Sequence, residues 1–376
     1  MRDILVGLER THLSDANLYH FRFVRERPAM YVGSVNEQGL LRLFWEMASY
    51  FIEALPMDDS ARLDMVLHTD GSFEVAAAMP IPALTRGCLL GAASLLLHPD
   101  RRSRRVLLPT PSPHRAGLFV VAALSTTMAV RTGDEGVTYL VQADADVPIQ
   151  SSWHPHGRSQ EPAVSSMRCW PDPAVFANHR LDLRVVRAGV ETLCCLHPGL
   201  TARVVDVSSG ANVSIRRPKG LEHLLSTRRA WLHDPISLDI VPNQVLEGSL
   251  AFVYVAARAA RIRSYVNGFH PRHGGTHHAG LLRALAAAVH AEAASLGRPL
   301  PPLSAAQAGR GLCAVLSVRM DDPQFSRATQ TELANPEVAE QLEQLLFTPL
   351  RSQLGAAPEG RAAILDHLEA EGATQP

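Results

Sequence analysis

The sequence predicts a soluble α+β chain of two domains, and three observations carry that expectation. A length of 376 residues exceeds what one hydrophobic core usually serves, and an apolar content of 46 % is enough to fill more than one. Helical and strand-like patterns both recur along the chain. No apolar run approaches the ~18 residues of a membrane span.

The individual elements follow from local pattern. Gly39–Leu55 places Leu40, Phe44, Met47, Phe51 and Leu55 at helical spacing, which predicts a helix with one buried face. Ala143–Pro162 is polar and turn-rich and reads as a flexible hairpin loop; its His154 and His156 have no cysteine beside them and no metal-ligand spacing. Ser249–Val266 reads as a pair of apolar strands, and Ala279–Leu296 as a helix. Gly311–Met320 is apolar and β-branched, which predicts a buried strand. Asp321-Asp322-Pro323 ends it, because proline has no N–H for the ladder and aspartate favours turns. Asn335-Pro336-Glu337 predicts a helix start with Asn335 as cap, Leu342, Leu345 and Leu346 facing inward and Pro349 at the end. Residues 351–376 read as a tail with one short helix near Ala362–Glu371.

Charge and cysteine content narrow the function classes. The formal net charge is −1, so there is no global electrostatic case for a nucleic-acid binder. Lys219 is the one lysine among 36 Lys and Arg residues, so any step that needs an ammonium group must use it or do without. The five cysteines are odd in number and show no CxxC spacing, which predicts reduced thiols in a cytoplasmic protein. The N-terminus MRDILVGLERTHLSD is too charged for a signal peptide and lacks a small-residue cleavage site. His270, His273, His277 and His278 also lack a neighbouring cysteine, and no metal is expected there.

Several stretches are similar to the ATPase subunits of DNA gyrase B and topoisomerase IV. Val24-Arg25-Glu26-Arg27-Pro28-Ala29-Met30-Tyr31-Val32-Gly33 resembles VRKRPGMYIG. Gln307–Leu333 resembles RxGLxAVxSVxxxxPxFxxQTKxxL; Tyr265-Val266-Asn267-Gly268 with Gly274-Gly275-Thr276-His277 resembles FVNNI…REGGTH. Ser165–Phe176 resembles the strand GTxVxFWPDPxxF, and His197–Asp206 the strand LNxGLxIxLxDER. Lys219-Gly220-Leu221 resembles the helix start YEGGLxxFV. The resemblance covers about residues 18–350. It implies a GHKL (Bergerat-type) α/β sandwich over residues 24–178 and a ribosomal-protein-like left-handed βαβ transducer domain over 179–350. Residues 1–23 are then either an arm that wraps a partner subunit or a plain tail, and 351–376 a C-terminal tail.

The same resemblance implies that the nucleotide contacts have changed. Gly39–Leu55 is similar to GLHHxVxEVVDNSIDEAL, so Glu46 stands at the general base, but Ser49 and Tyr50 replace the pair that includes the Mg²⁺-holding asparagine. A neutral phenol is a poor ligand for a hard cation. Asp70–Pro82 resembles DGSIxVxDNGRGIP, yet Ala76-Ala77-Ala78-Met79-Pro80 replace the carboxylate that reads adenine and the glycines around it. In the phosphate lid, His114 and Gly117 are kept, whereas Pro111 and Pro113 remove amides that a phosphate cradle would use. A helix over Leu118–Ser125 follows, and Arg101–Arg105 precedes as a charge run. Ser165 keeps a hydroxyl. Ala328 and Gln330 stand where the transducer loop carries its glutamine and lysine.

Losses that cluster at the nucleotide while the frame persists imply a folded protein put to another use. The resulting expectation is a pseudo-ATPase without a cofactor, acting as a homodimeric scaffold or regulator whose partner is a gyrase subunit, another protein or DNA. Arg258, Arg261 and Arg263 are its DNA-facing candidates. The alternative is a slow clamp driven by ATP and Mg²⁺, with Glu46 as base and Arg115 or Arg327 at the phosphates.

Overall fold

The computed structural model of the protein describes residues 7–9, 15–56, 58–78, 117–132, 137–142, 150–155, 164–177, 180–225, 231–243, 246–257, 259–298, 300–326 and 331–373. These form two compact units that divide between Arg217 and Pro218.

The first unit is built on a nine-stranded sheet. Its strands are β1 (Gly7–Glu9), β2 (Arg62–Leu67), β3 (Phe73–Ala77), β4 (Ser125–Thr132), β5 (Val137–Gln142), β6 (Gln150–Pro155), β7 (Ser165–Pro171), β8 (Thr201–Asp206) and β9 (Ala211–Arg216). They lie in the order β1-β6-β5-β4-β7-β3-β2-β8-β9. Neighbours are antiparallel except β2 and β8, which run parallel. Strict alternation on β2 and β3 turns Leu63, Met65, Leu67, Phe73, Val75 and Ala77 into the core.

Helices α1 (Asp15–Glu26), α2 (Ala29–Val32), α3 (Glu37–Ala54), α4 (Gly117–Ala123), α5 (Pro173–Phe176) and α6 (Leu183–Leu196) belong to this unit. Asn36 caps α3 by accepting the Gln38 N–H, and Phe44 meets Phe73 edge-on across the α3–β3 contact at 5.9 Å. On α6, a Cβ at Gly189 would lie 2.6 Å from the Trp45 ring, so glycine is what lets α3 seat its largest side chain. Arg25 explains the VRxRP stretch: it pairs with Asp172 and donates to the Ala123 carbonyl at 2.7 Å, tying α1 to the end of α4 and the start of α5.

In the second unit a four-stranded sheet runs β10-β11-β13-β12, made of β10 (Ile236–Ile240), β11 (Leu246–Tyr254), β12 (Arg261–Val266) and β13 (Leu312–Met320). Strands β12 and β13 are parallel and are joined through helix α7 (Thr276–Ser295) and the short α8 (Ala305–Ala308), a βαβ unit. Helices α9 (Glu337–Ala356) and α10 (Pro358–Ala373) end the unit, and hairpin β14–β15 (Phe325–Ser326, Glu332–Leu333) is bridged through Leu333 to Gly275, just before α7. Helices α7 and α9 cross closely because residue 280 is glycine; a Cβ there would sit 2.6 Å from the Ala339 carbonyl oxygen. Gly275, at φ +127, lets the chain pair with Leu333, which fixes the entrance of α7.

The structure departs from the sequence expectations at identifiable places. The first unit runs to Arg217 rather than residue 178, because β8 extends the sheet alongside β2 and carries β9 with it. Within residues 1–23, β1 pairs with β6 of its own chain, and α1 buries Phe21. The region 143–162 contains strand β6, which is paired to β5 and holds His154; His156 lies outside the described residues. Strands β11 and β12 do not pair with each other, since β13 lies between them.

The segment after Lys219 is a short 3-10 helix, Gly220–Leu224. Asn335 does not cap α9: its side chain instead accepts the Gln324 N–H at 2.6 Å, and Pro336 takes the cap position. Pro349 lies inside α9, which continues to Ala356 because Leu350 and Leu354 still have core to bury against. The rest of the expected tail is α10, fastened by Arg298 to Asp366 and Glu369 and by Arg361 to the buried Glu292.

Candidate nucleotide pocket

Helix α3 supplies the remnant base. It is buried on nearly every side, and at its centre are two charged residues, Arg42 and Glu46, at 3 % and 2 % exposure. Charges buried this deeply persist only when paired. The Arg42 Nε donates to Glu46 Oε1 at 3.0 Å, and the backbone N–H of Gly117, the first residue of α4, donates to Glu46 Oε2 at 3.0 Å. Both carboxylate oxygens therefore accept a bond from the protein itself. One turn further along, the Ser49 hydroxyl donates to the Glu46 carbonyl at 2.6 Å. Tyr50, four residues after Glu46, is fully buried with its ring against Phe51 at 5.9 Å.

The opposite wall is the β3–β7 ladder. Ala77 faces Ser165 across it and Ala76 faces Ser166. Ala77 and Ser165 are both buried, Ala76 is half-buried, and Ala78 is exposed beyond the end of the strand. Of the five residues that replace the adenine turn, the register makes Ala77 the partner of the retained hydroxyl. Counting the DGS stretch forward without a gap gives the same residue.

Asp70 has a structural task instead. Its oxygens accept from the Ser72 amide and hydroxyl, the Trp170 indole at 3.0 Å and Arg168 at 2.9 Å. Burial pushes this carboxyl up, but the Ser72 and Trp170 hydrogen bonds and the Arg168 charge outweigh it and hold the pKa at about 2.

Glu46, Ser49, Tyr50, Ala76, Ala77, Ala78, Gly117 and Ser165 thus all lie within the first unit. His114, Met79, Arg101–Arg105, Arg115, Arg258, Arg327, Ala328 and Gln330 lie outside the described residues. Arg261 and Arg263 are exposed on β12, the latter with its guanidinium 5.4 Å from the Tyr265 ring. Three histidines of the second unit surround one serine: His277 and His278 each place Nε2 2.7 Å from Ser264 Oγ, and His270 Nδ1 lies 2.8 Å from the Ser264 carbonyl. Sequence reasoning also missed Arg42, whose signal was its place four residues before Glu46 on one helix face.

The comparisons with known proteins agree with this architecture. The family profile for DNA gyrase B matches residues 221–375. Over 356 residues the chain is 26 % identical to the B-subunit of the type 2 topoisomerase of Aquifex aeolicus, covering 91 % of this chain and 45 % of that protein. It is 27 % identical to the B-subunit of the DNA gyrase of Haloferax lucentense, covering 91 % of this chain and 56 % of that one. The chain is similar to gyrase B subunits over most of its length. It spans about half the length of the curated relatives it matches.

Among solved structures, the 43K ATPase domain of Thermus thermophilus gyrase B, in complex with an aminocoumarin, superposes with a TM-score of 0.74 at 23 % identity. That match covers 93 % of this chain and 94 % of the other. The B-subunit of the DNA gyrase from Myxococcus xanthus gives 0.72 at 22 % identity, covering 92 % and 99 %. The gyrase B-like chain accordingly has the expected α+β fold, that of the GHKL-type sandwich with a transducer region seen in these structures. None of its described helices is long and apolar enough to cross a membrane.

Proposed function

We propose that this gyrase B-like chain is a pseudo-ATPase that works in the cytoplasm as a dimeric scaffold or regulator, acting on gyrase or protecting it. The observation that carries this reading is the state of Glu46. A general base needs an oxygen open to water, whereas Glu46 is 2 % exposed and each of its oxygens already accepts a bond, one from Arg42 and one from the Gly117 amide. Three further features support it. Tyr50 fills its own site with an apolar ring, Ala77 offers adenine no acceptor beside Ser165, and Ala78 adds none. Exposed Arg261 and Arg263 suit a phosphate backbone and supply the DNA-holding variant of the same scaffold.

An ATP-dependent clamp is the second reading, favoured by the retention of Glu46 within 3.0 Å of the start of α4. Calorimetric titration with ATP and Mg²⁺, run beside light scattering, separates the two. Each missing polar contact costs ~1–3 kcal/mol, and micromolar affinity amounts to only ~8 kcal/mol. The expected result is no binding in the low micromolar range and a dimer that forms without nucleotide. Low-micromolar ATP binding, or a monomer that dimerises only with ATP, would establish the clamp instead.

A further inference from the structure

The second unit contains a cavity of about 390 Å³ that the nucleotide pocket does not explain, lined by Lys219, Glu222, His223, Trp231, Asp234 and Pro235. We propose that it binds a small zwitterion, a free amino acid or a short peptide. The ligand's ammonium group faces Glu222 and Asp234, its carboxylate faces Lys219, and its apolar side chain covers the Trp231 indole. The inference stands apart from the fate of the ATP site.

Size and charge choose this class. A cavity of this volume is at the lower end of small-ligand sites. Among the described residues no ion pair joins Lys219 to either carboxylate, so opposite charges share one cavity without neutralising each other. A simple anion would meet two carboxylates there, and a simple cation would meet the lysine. A molecule carrying both charges answers both walls. The indole gives the remaining surface an apolar, aromatic character.

The walls are also fixed. Lys219 directly precedes the 3-10 helix Gly220–Leu224, which is anchored by buried Leu221 and Leu225. Glu222 accepts the Ser237 hydroxyl at 2.9 Å. Trp231 bridges to Val255, and the next amide, Leu232, donates to the Tyr254 carbonyl at 2.9 Å. The Asp234 carbonyl accepts His233 Nδ1–H at 2.6 Å, while His233 Nε2 accepts the Tyr254 N–H at 3.0 Å. Two of the three charged walls and the aromatic one are therefore tied to the sheet, and binding costs little ordering.

The test uses the full chain with L-phenylalanine, the dipeptide Phe-Phe, and N-acetyl-phenylalaninamide, which lacks both charges. Calorimetry reads binding. Acylation of the chain's one lysine, mapped by mass spectrometry, reads occupancy directly. The expected result is saturable binding of at least one zwitterion, protection of Lys219, no binding of the blocked analogue, and about tenfold or greater weakening in K219M and in D234N. Tighter binding of the dipeptide than of the amino acid identifies a peptide terminus as the source, and the reverse a free amino acid. Both variants alter exposed side chains, so the fold is not at stake. Absence of saturation by either zwitterion at ~10 mM, equal binding of the blocked analogue, or unchanged binding in both variants would overturn the proposal.

Discussion

Acidification should unfold the second unit in a window fixed by the imidazoles around Ser264. One serine hydroxyl has one proton and cannot donate to both neighbouring rings. His277 Nδ1 is buried without a hydrogen-bond partner, so a proton there would be an orphaned donor. The arrangement without that cost puts the proton on His277 Nε2, which donates to Ser264 Oγ, and the serine in turn donates to His278 Nε2. His270 Nδ1–H donates to the serine carbonyl. Protonating His278 would leave its Nε2–H pointing at the hydroxyl hydrogen.

Burial first, and then the charge of His270, lower the His278 pKa from 6.5 to about 4; burial also pushes His277 far down and lowers His270, which faces Arg263 and Arg272. The unfolded chain thus binds more protons than the folded one below pH 6.5. This stabilisation is complete above the unfolded value and is lost as pH falls toward about 4. His278 alone accounts for ~3 kcal/mol across that window. Urea unfolding between pH 7.5 and 4, followed on the wild type and on H278N, measures it. The variant should be less stable at neutral pH and should have a shallower pH slope. A wild-type midpoint that does not move, or an H278N slope equal to the wild type's, would refute the hydrogen-bond assignment.

Two further outcomes follow from single contacts. Arg42→Met strands a buried carboxylate and should cost ~3–5 kcal/mol, with part regained in the double variant that also carries Glu46→Gln; a loss below ~1 kcal/mol in urea titration would show that Glu46 can be neutralised or hydrated in place. Gly280→Val drives a side chain into the Ala339 carbonyl where α7 and α9 cross, and should lower the thermal midpoint by the equivalent of ~1–3 kcal/mol or more; an unchanged midpoint would mean that the helices can separate freely.

The sequence was most informative where pattern and burial coincide. The helix over Gly39–Leu55 and the strand over Gly311–Met320 appear as α3 and β13 within two residues at each end, because their apolar periodicity records a buried environment directly. Local signals failed where distant contacts decide. Pro349 reads as a stop, but Leu350 and Leu354 hold α9 against the core beyond it. Asn335 reads as a cap, yet the Gln324 amide claims its oxygen. In the candidate site, Glu46 was legible from its neighbours in the chain. The captor of its second oxygen lies 71 residues away, at Gly117, and no periodicity connects the two. The partner of Ser165 needed a strand register, which a motif supplies only when it is counted without a gap.

The parallel pairing of β2 with β8 also orders events in time. Arg62–Leu67 waits for Thr201–Asp206 before its outer row of amides and carbonyls is covered. During synthesis that edge stays open until β8 has left the ribosome, and it is a template for the wrong strand throughout. Closure across so long a stretch of chain is slow compared with the local hairpins β4–β5 and β8–β9. The first unit should therefore mature late, and a ribosome stalled before β8 emerges should expose a chain that chaperones capture.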